Sequence, residues 1–182
     1  MQLVSPSQSE IQITLEVAIG LVNDLGADHL EVRTTLDAAG FSRASTASAA
    51  SIARLETSLS ELSPLLSALP DLDTEQARTL VNEELTELAI SPSIADHDGV
   101  GPHLHWSPST APFDRQVIAD IIMAIAQELC DNGTIRFGRC GAEDCQRLFY
   151  DGTRNRSRRF CDDSRCASRT HTADHRARLK KG

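Results

Sequence analysis

Apolar residues recur at helical spacing in four stretches of the chain, and this pattern predicts four amphipathic helices. The four stripes are Ile11, Leu15, Ala18, Val22 and Leu25; Ile52, Leu55, Leu59, Leu62 and Leu66; Ala77, Leu80, Val81, Leu85 and Leu88; and Ile118, Ile121, Ile122, Ile125 and Leu129. A shorter helix through Val32 and Leu36 is predicted between the first two stripes. Helices are therefore the main element of the first 135 residues.

Several helix ends can be read from local residues. Asp73 followed by Gln76 three positions later predicts a capping box at the start of the third stripe. Gly26 and the run Asp131-Asn132-Gly133 predict helix stops. Pro64 leaves two alternatives, because it either kinks one helix or begins a new short one at its first position.

Residues 91–112 contain four of the seven prolines and show no helical period. The alternation in His103-Leu104-His105-Trp106 predicts a short strand or one arm of a β hairpin. His103 and His105 would then share one face of the strand, next to Trp106. This is either an ordinary solvent-facing surface or the candidate ligand pocket of the N-terminal part.

Composition agrees with a mainly helical protein. Aromatic residues make up only 4% of the chain, so aliphatic side chains must fill the core, which favours helices over a β sandwich. The longest apolar run, 117–126, is interrupted by Asp120 and is too short for a membrane span. The first residues lack the basic start and apolar stretch of a signal peptide, so we expect a cytoplasmic protein without a membrane anchor.

Charge divides the chain at about residue 135. Residues 1–135 contain 5 Lys and Arg against 20 Asp and Glu, a net charge of −15, whereas residues 136–182 contain 13 against 6, a net charge of +7. The cysteines divide at the same place, with one before it and four after it. We therefore predict an acidic helical domain over residues 1–135 and a small basic module over residues 136–182.

The four later cysteines predict a metal site. Cys140, Cys145, Cys161 and Cys166 have the spacing C-x4-C-x15-C-x4-C, and each pair can hold one side of a tetrahedral Zn²⁺. Disulfides are the alternative, which a cytoplasmic location disfavours. Four thiolates leave no open coordination position, so the expected cofactor is one structural Zn²⁺ per chain. Its binding energy replaces the core that so short a module cannot build.

Other residues of the module suggest how it folds. Asp151-Gly152 is a tight-turn pair, which favours a β hairpin with the cysteine pairs at its base. We expect Leu148, Phe149, Tyr150 and Phe160 to form a miniature core around the metal. Cys130, by contrast, lies in the last helical stretch of the acidic part and is interpreted as a small buried apolar residue.

Arginine outnumbers lysine 11 to 2 in the basic module, which favours contacts with phosphates and guanine edges. Without a zinc site, the same residues would read as a solvated basic tail. The candidate nucleic-acid contacts are Arg154, Arg156, Arg158, Arg159, Arg169, Arg176 and Arg178. His171 and His175 lie four residues apart on a predicted C-terminal helix and are interpreted as polar surface, since four cysteines already complete the metal site.

Several segments of the module resemble the CGNR zinc finger. The resemblance is carried by residues 139–145, by Leu148-Phe149-Tyr150-Asp151, by residues 154–161, and by Cys166 followed by Arg169. Such fingers close bacterial proteins whose helical N-terminal domain, called ABATE, is described as a stress-induced transcription regulator. Leu21-Val22-Asn23 is similar to an element of that domain. The resemblance implies zinc on the four cysteines and DNA contacts from the basic residues.

The sequence departs from the family pattern at two places. The tetrapeptide Cys-Gly-Asn-Arg, which gives the finger its name, is here Cys166-Ala167-Ser168-Arg169, and Phe160 replaces the usual Trp before the third cysteine. If the missing glycine needs a positive φ, Ala167 would be strained. The four ligands are unaffected by both changes.

The sequence thus leads to one main hypothesis and one alternative. The main hypothesis is a zinc-dependent DNA-binding transcription regulator whose helical domain senses a signal, such as a small-molecule ligand, or forms a homodimer. In the alternative, zinc staples a protein–protein interaction module whose basic finger docks on an acidic protein surface. We expect no enzyme, because neither part shows catalytic residues or an open metal site.

Overall fold

The computed structural model describes residues 8–25, 31–88, 90–95, 102–108 and 110–179. Within these ranges the fold is mainly helical with two small β hairpins, as the sequence predicts. The elements are α1 (Gln8–Asn23), α2 (Val32–Ala38), α3 (Ala49–Ala68) followed by a 3-10 turn (Leu69–Asp71), α4 (Thr74–Glu87), β1 (Ser93–Ala95), β2 (His103–His105), α5 (Phe113–Asn132), β3 (Phe137–Arg139), β4 (Leu148–Tyr150) and α6 (Ser164–Leu179). No helix in the described ranges is long and apolar enough to cross a membrane.

Helix α5 lies at the centre of the core, where it packs against α1, α3 and α4. Its residues Ile121, Ile122 and Ile125 are buried, and each such side chain stabilises the fold by about 1.5–3 kcal/mol. The prediction that Cys130 is buried is wrong, because its side chain is exposed. The buried face of α5 ends at Leu129, and the next residue lies about 100° further round the helix.

The structure decides between the alternatives for Pro64 and confirms the predicted capping box. Helix α3 is one continuous helix with Pro64 inside it. Proline cannot donate to the carbonyl four residues earlier, and here the Ser63 hydroxyl donates to the Ser60 carbonyl at 3.0 Å instead. At the start of α4, the Gln76 backbone N–H donates to the Asp73 carboxylate at 2.8 Å, and the Gln76 side chain accepts from the Asp73 N–H.

The other predicted ends and strands are also found where the structure describes them. Gly133 follows α5 with a φ of 66°, a conformation that favours glycine. The predicted stop at Gly26 lies outside the described residues. Strand β2 pairs antiparallel with β1, which places His103 opposite Ala95 and confirms the predicted hairpin arm.

The second hairpin, formed by β3 and β4, is part of the main core. Phe137, Leu148 and Tyr150 are buried in the same apolar cluster as the helices. The Tyr150 hydroxyl donates to the Glu128 carboxylate at 2.9 Å, and burial raises the pKa of Glu128. The expected miniature core around the metal is therefore wrong for Leu148 and Tyr150, which face the helices. The domain boundary at residue 135 stays a prediction.

A single side chain of α1 covers the outer edge of β4. The Leu148 N–H donates to the Asn23 side-chain oxygen at 2.8 Å, and the Asn23 amide donates to the Leu148 carbonyl at 2.9 Å. The Asn23 amide thus occupies the position that a neighbouring strand would take. Leu148, at the start of this three-residue edge strand, gains both of its missing hydrogen bonds from this contact.

We predict that Asn23→Leu lowers the free energy of unfolding by about 1–3 kcal/mol, because it leaves the Leu148 N–H and carbonyl without partners. Urea unfolding followed by circular dichroism measures the loss. Asn82→Leu, the same substitution at an exposed position of α4, should change stability by less than about 0.5 kcal/mol. Equal effects of the two substitutions would contradict this role of Asn23.

Candidate metal centre

Four cysteine sulfurs converge beside the β3–β4 hairpin. The Sγ atoms of Cys140, Cys145, Cys161 and Cys166 all lie within 4.8 Å of one another. Cys140 directly follows β3, and Cys145 lies in the segment that leads to β4. Cys161 precedes α6, and Cys166 lies in its first turn. The sequence prediction of one cluster from these four residues, here called the sulfur cluster, agrees with the structure.

Backbone hydrogen bonds shape the two cysteine pairs. The Cys145 N–H donates to the Ala142 carbonyl at 3.1 Å, and the Cys166 N–H donates to the Asp163 carbonyl at 3.0 Å. The Gly141 N–H donates to the Arg159 carbonyl at 2.8 Å and so joins the two pairs. A Cβ on Gly141 would lie only 3.0 Å from that carbonyl, so glycine permits the close approach.

The sulfur cluster fits a tetrahedral zinc ion. Cys161 Sγ lies 3.8 Å from both Cys145 Sγ and Cys166 Sγ. A tetrahedron with Zn–S bonds of about 2.3 Å has edges of about 3.8 Å, so these two pairs of sulfurs already have the required spacing. Three of the cysteines are buried and Cys145 is half-buried. Such a four-sulfur set is arranged as in a structural zinc site, where the ion cross-links the two pairs.

The thiols of the sulfur cluster do not ionise alike. Burial raises the pKa of Cys140, but hydrogen bonds from backbone N–H groups and neighbouring thiols outweigh it and lower the pKa to about 7. Burial raises the pKa of Cys161 to about 12, and its hydrogen bonds to the other sulfurs act in the same direction. Zinc binding releases thiol protons, so the cluster favours the metal more strongly as pH rises.

Arg169 contacts the sulfur cluster directly. Its guanidinium donates to Cys166 Sγ at 3.6 Å and pairs with the Asp144 carboxylate at 3.2 Å. Because four thiolates carry a large negative charge, a guanidinium at a sulfur stabilises them. Phe160 packs against the same cluster, in agreement with its predicted place near the metal. Ala167 lies inside α6 without a positive φ, so replacement of the family's glycine causes no backbone strain.

A buried carboxylate organises residues 153–159, here called the basic loop. Asp151 accepts from the Thr153 N–H at 2.9 Å and from the Arg158 N–H at 2.8 Å. Burial opposes ionisation of Asp151, but these hydrogen bonds and nearby Arg136 outweigh it and lower its pKa. Asp151-Gly152 follows β4 and directly precedes this loop. The hairpin therefore turns through the first cysteine pair rather than at Asp151 as the sequence suggested.

The candidate contact arginines fall into two groups. Arg158 is half-buried, donates from Nε to the Phe160 carbonyl at 2.9 Å and lies 5.4 Å from the centre of the Phe149 ring. Like Arg169, it therefore makes its contacts within the basic module. Arg159 is exposed and lies over the Phe160 ring at 5.6 Å. Among the candidate contacts, Arg159 and four other exposed arginines have no hydrogen bond or ion pair from their side chains to the described residues. The other four, Arg154, Arg156, Arg176 and Arg178, have no ring contact there either.

Three further arginines form ion pairs between the hairpin and the acidic helical part. The sequence pattern did not predict these ion pairs. Arg139 pairs with Asp71 at 2.7 Å. Arg147 pairs with Asp24 at 2.6 Å, and Arg136 lies 3.6 Å from Glu128. The opposite charges of the two parts of the chain were visible in the sequence, but nothing in it paired one arginine with one carboxylate. These contacts use part of the module's positive charge inside the molecule.

The other residues singled out in the sequence lie in the β1–β2 hairpin and in the C-terminal segment. His103 and His105 lie on β2 and Trp106 follows it, and the ligand pocket at these residues stays a prediction. The His171 ring contacts Phe160 edge-on at a centroid distance of 5.9 Å. The side chain of His175, and Lys180 and Lys181 altogether, lie outside the described residues.

Comparison with known proteins supports the nature of the metal site. Residues 136–179 match the family model of the CGNR zinc finger. This matched segment of the chain contains all four clustered cysteines and α6. No curated protein matches the chain. The finger resemblance is therefore confirmed for these residues, here called the finger, whereas the ABATE resemblance of the helical part stays a prediction.

We predict that Cys161→Ser abolishes stoichiometric zinc binding, because Cys161 lies between two other ligands of the sulfur cluster. Cys130→Ser is the matched control, since Cys130 is exposed and is not among the four clustered cysteines. Zinc content per chain measured by elemental mass spectrometry should fall from one to near zero only in the first variant. Loss of zinc in both variants, or in neither, would refute the assignment.

We predict that Arg169→Ala weakens zinc binding by about 10–100-fold, because it removes the guanidinium that donates to Cys166 Sγ. Competition with a chromophoric chelator at constant ionic strength measures the affinity. Arg178→Ala removes the same charge from the last turn of α6 and should leave zinc affinity unchanged. If both substitutions weaken zinc binding equally, the overall charge of the finger explains the effect, and a role for the contact between Arg169 and Cys166 is refuted.

Proposed function

We propose that this protein is a cytoplasmic, zinc-dependent DNA-binding transcription regulator whose finger docks on DNA phosphates. The observation that carries the proposal is a group of exposed arginines in the basic loop and in the last turn of α6, whose side chains pair with no described residue: Arg154, Arg156, Arg176 and Arg178. Charged arginines without a partner among the described residues are available to phosphates, and binding of phosphates releases counterions. The family match of the finger supports a role in binding nucleic acid or protein.

The geometry refines the set of proposed DNA contacts. Arg154, Arg156 and Arg159 project from the basic loop, and Arg176 and Arg178 lie at the end of α6. Arg158 and Arg169 act mainly by holding the loop and the sulfur cluster in place. Zinc supports DNA binding in this proposal because it fixes the two segments that carry the exposed arginines.

For the helical part we propose a regulatory role. Its resemblance to the ABATE domain supports sensing of a signal, and dimerisation is the other role that we consider. The proposal assigns no catalytic step to either part.

A second candidate function is an interaction module whose basic finger binds an acidic protein surface. The observation that favours it is the set of ion pairs from Arg136, Arg139 and Arg147 to the acidic helices. The finger already recognises carboxylates in this way within its own chain, and a partner with similar acidic helices would offer the exposed arginines the same chemistry.

We predict that the double substitution Arg154→Ala with Arg156→Ala weakens binding to labelled duplex DNA. It should also reduce the slope of log affinity against log salt by about 2, since each lost phosphate contact contributes about 0.9. Fluorescence anisotropy of intact, zinc-loaded protein across a salt series measures both quantities.

The matched control is Arg78→Ala with Arg115→Ala, which removes the same charge from exposed positions of the helical part. An unchanged slope in the finger variant, or an equal change in the control, would refute the assigned contacts. If intact zinc-loaded protein binds no DNA, the second candidate is favoured. Sedimentation of the protein in a salt series then tests whether acidic and basic surfaces of separate chains associate.

A further inference from the structure

A cavity of about 170 Å³ lies where the helical part meets the finger. Ile19 and Gly20 of α1 form one wall, and Phe149 and Tyr150 of β4 form another. Arg158 of the basic loop also lines it, so the cavity contacts both parts of the chain. Its size suits a small molecule, since a cavity of about 150 Å³ holds benzene, which has six non-hydrogen atoms.

Gly20 leaves room that the fold itself does not need. It lies inside α1 and does not have a positive φ, so no turn requires glycine there. A Cβ at this position would meet no atom within 4 Å, so no close packing requires glycine either. Glycine inside a helix is destabilising relative to alanine. Gly20 thus leaves open space beside α1, and Gly20 is one of the residues that line this cavity.

The open edge of β4 brings backbone polar groups to the same place. The Cys140 N–H donates to the Arg147 carbonyl and the Asp151 N–H donates to the Arg136 carbonyl, which fixes the phase of the antiparallel ladder. The peptide groups of Leu148 and Tyr150 must then point away from β3.

The outward edge of β4 therefore has four polar groups, the N–H and the carbonyl of Leu148 and those of Tyr150. Three of them have hydrogen-bond partners. Asn23 pairs with both groups of Leu148, and Arg158 donates to the Tyr150 carbonyl at 3.3 Å. Among the described residues, the Tyr150 N–H has no acceptor.

The charged groups that line the cavity have both signs. Arg158 uses Nε and one terminal nitrogen for carbonyls of the chain, which leaves guanidinium N–H groups for a ligand. Glu16 and Asp162 supply carboxylates. Both carboxylates are exposed, and each accepts one hydrogen bond, Glu16 from the Gln12 side chain and Asp162 from Arg147. Each therefore retains lone pairs that could accept from an ammonium group.

We propose that this cavity binds a free α-amino acid of about six to nine non-hydrogen atoms. Arg158 and the Tyr150 N–H would receive its carboxylate, while Glu16 and Asp162 would accept from its ammonium group. Its side chain would occupy the space beside Gly20, against Ile19 and Phe149. A bound molecule would bridge α1 and the basic loop. An effect of the ligand on DNA affinity rests on the proposed function, whereas binding itself does not.

Thermal unfolding of the full-length, zinc-loaded protein without DNA tests the proposal. The probes are L-alanine, L-serine, L-threonine, L-valine and L-leucine at millimolar concentration, each compared with its D-enantiomer to remove general solute effects. At least one L-amino acid should raise Tm by about 2 °C or more beyond its enantiomer. The matching amine without a carboxylate and the matching acid without an amine should both fail to do so.

Variants of Gly20 locate the binding. Gly20→Leu fills the cavity and should abolish the ligand-dependent shift, whereas Gly20→Ala adds only one methyl group and should retain most of it. Glu16→Gln, at an exposed position, removes one ammonium partner and should reduce the shift without touching the core. The proposal is overturned if no L-amino acid exceeds its enantiomer, or if Gly20→Leu and Glu16→Gln both respond like the wild type. Failure of DNA binding would leave this result unaffected.

Discussion

Strand β4 is three residues long, and the rest of the finger depends on how it is held. A two-stranded hairpin of this length is marginally stable in water and needs cover on its face, its edge and its turn. The helical core covers the face through Leu148 and Tyr150. Asn23 of α1 covers the edge, and the sulfur cluster fixes the segment between the strands. Only Asp151 and Gly152 separate the basic loop from β4, so the position of the loop follows from all three contacts.

This arrangement also explains how a strongly acidic and a basic segment share one molecule. The arginines of the hairpin, Arg136, Arg139 and Arg147, lie near carboxylates of the helical part. Arg158 and Arg169 serve the loop and the sulfur cluster from within the finger. The exposed arginines of the finger that have no carboxylate partner among the described residues lie further along the chain, in the basic loop and at the end of α6. The arginines are thus paired with carboxylates where the finger joins the helices. Those in the basic loop and at the end of α6 are exposed, where a polyanion could approach.

Residue types with strict geometric needs made part of the fold and the metal site predictable. Helical periodicity predicted the main helices, the Asp73–Gln76 pair predicted the capping box of α4, and the cysteine spacing predicted the sulfur cluster. The sequence could not show whether the apolar residues of the hairpin pack around the metal site or against the helices. Leu148 and Tyr150 are compatible with either position. Nor could it separate Arg158 from Arg154, since only the folded loop brings Phe149 and the Phe160 carbonyl to one of them.

The central claim is that zinc holds the cysteine pairs while the helical core holds the hairpin. Amide hydrogen exchange of the full chain, zinc-loaded and after chelation, tests this most directly. After chelation we expect the amides of Gly141, Cys145 and Cys166 to lose protection, while Leu148 and Phe149 stay protected together with α1 and α5. Loss of protection at Leu148 and Phe149 along with the cysteine pairs, while the helices stay protected, would contradict the claim.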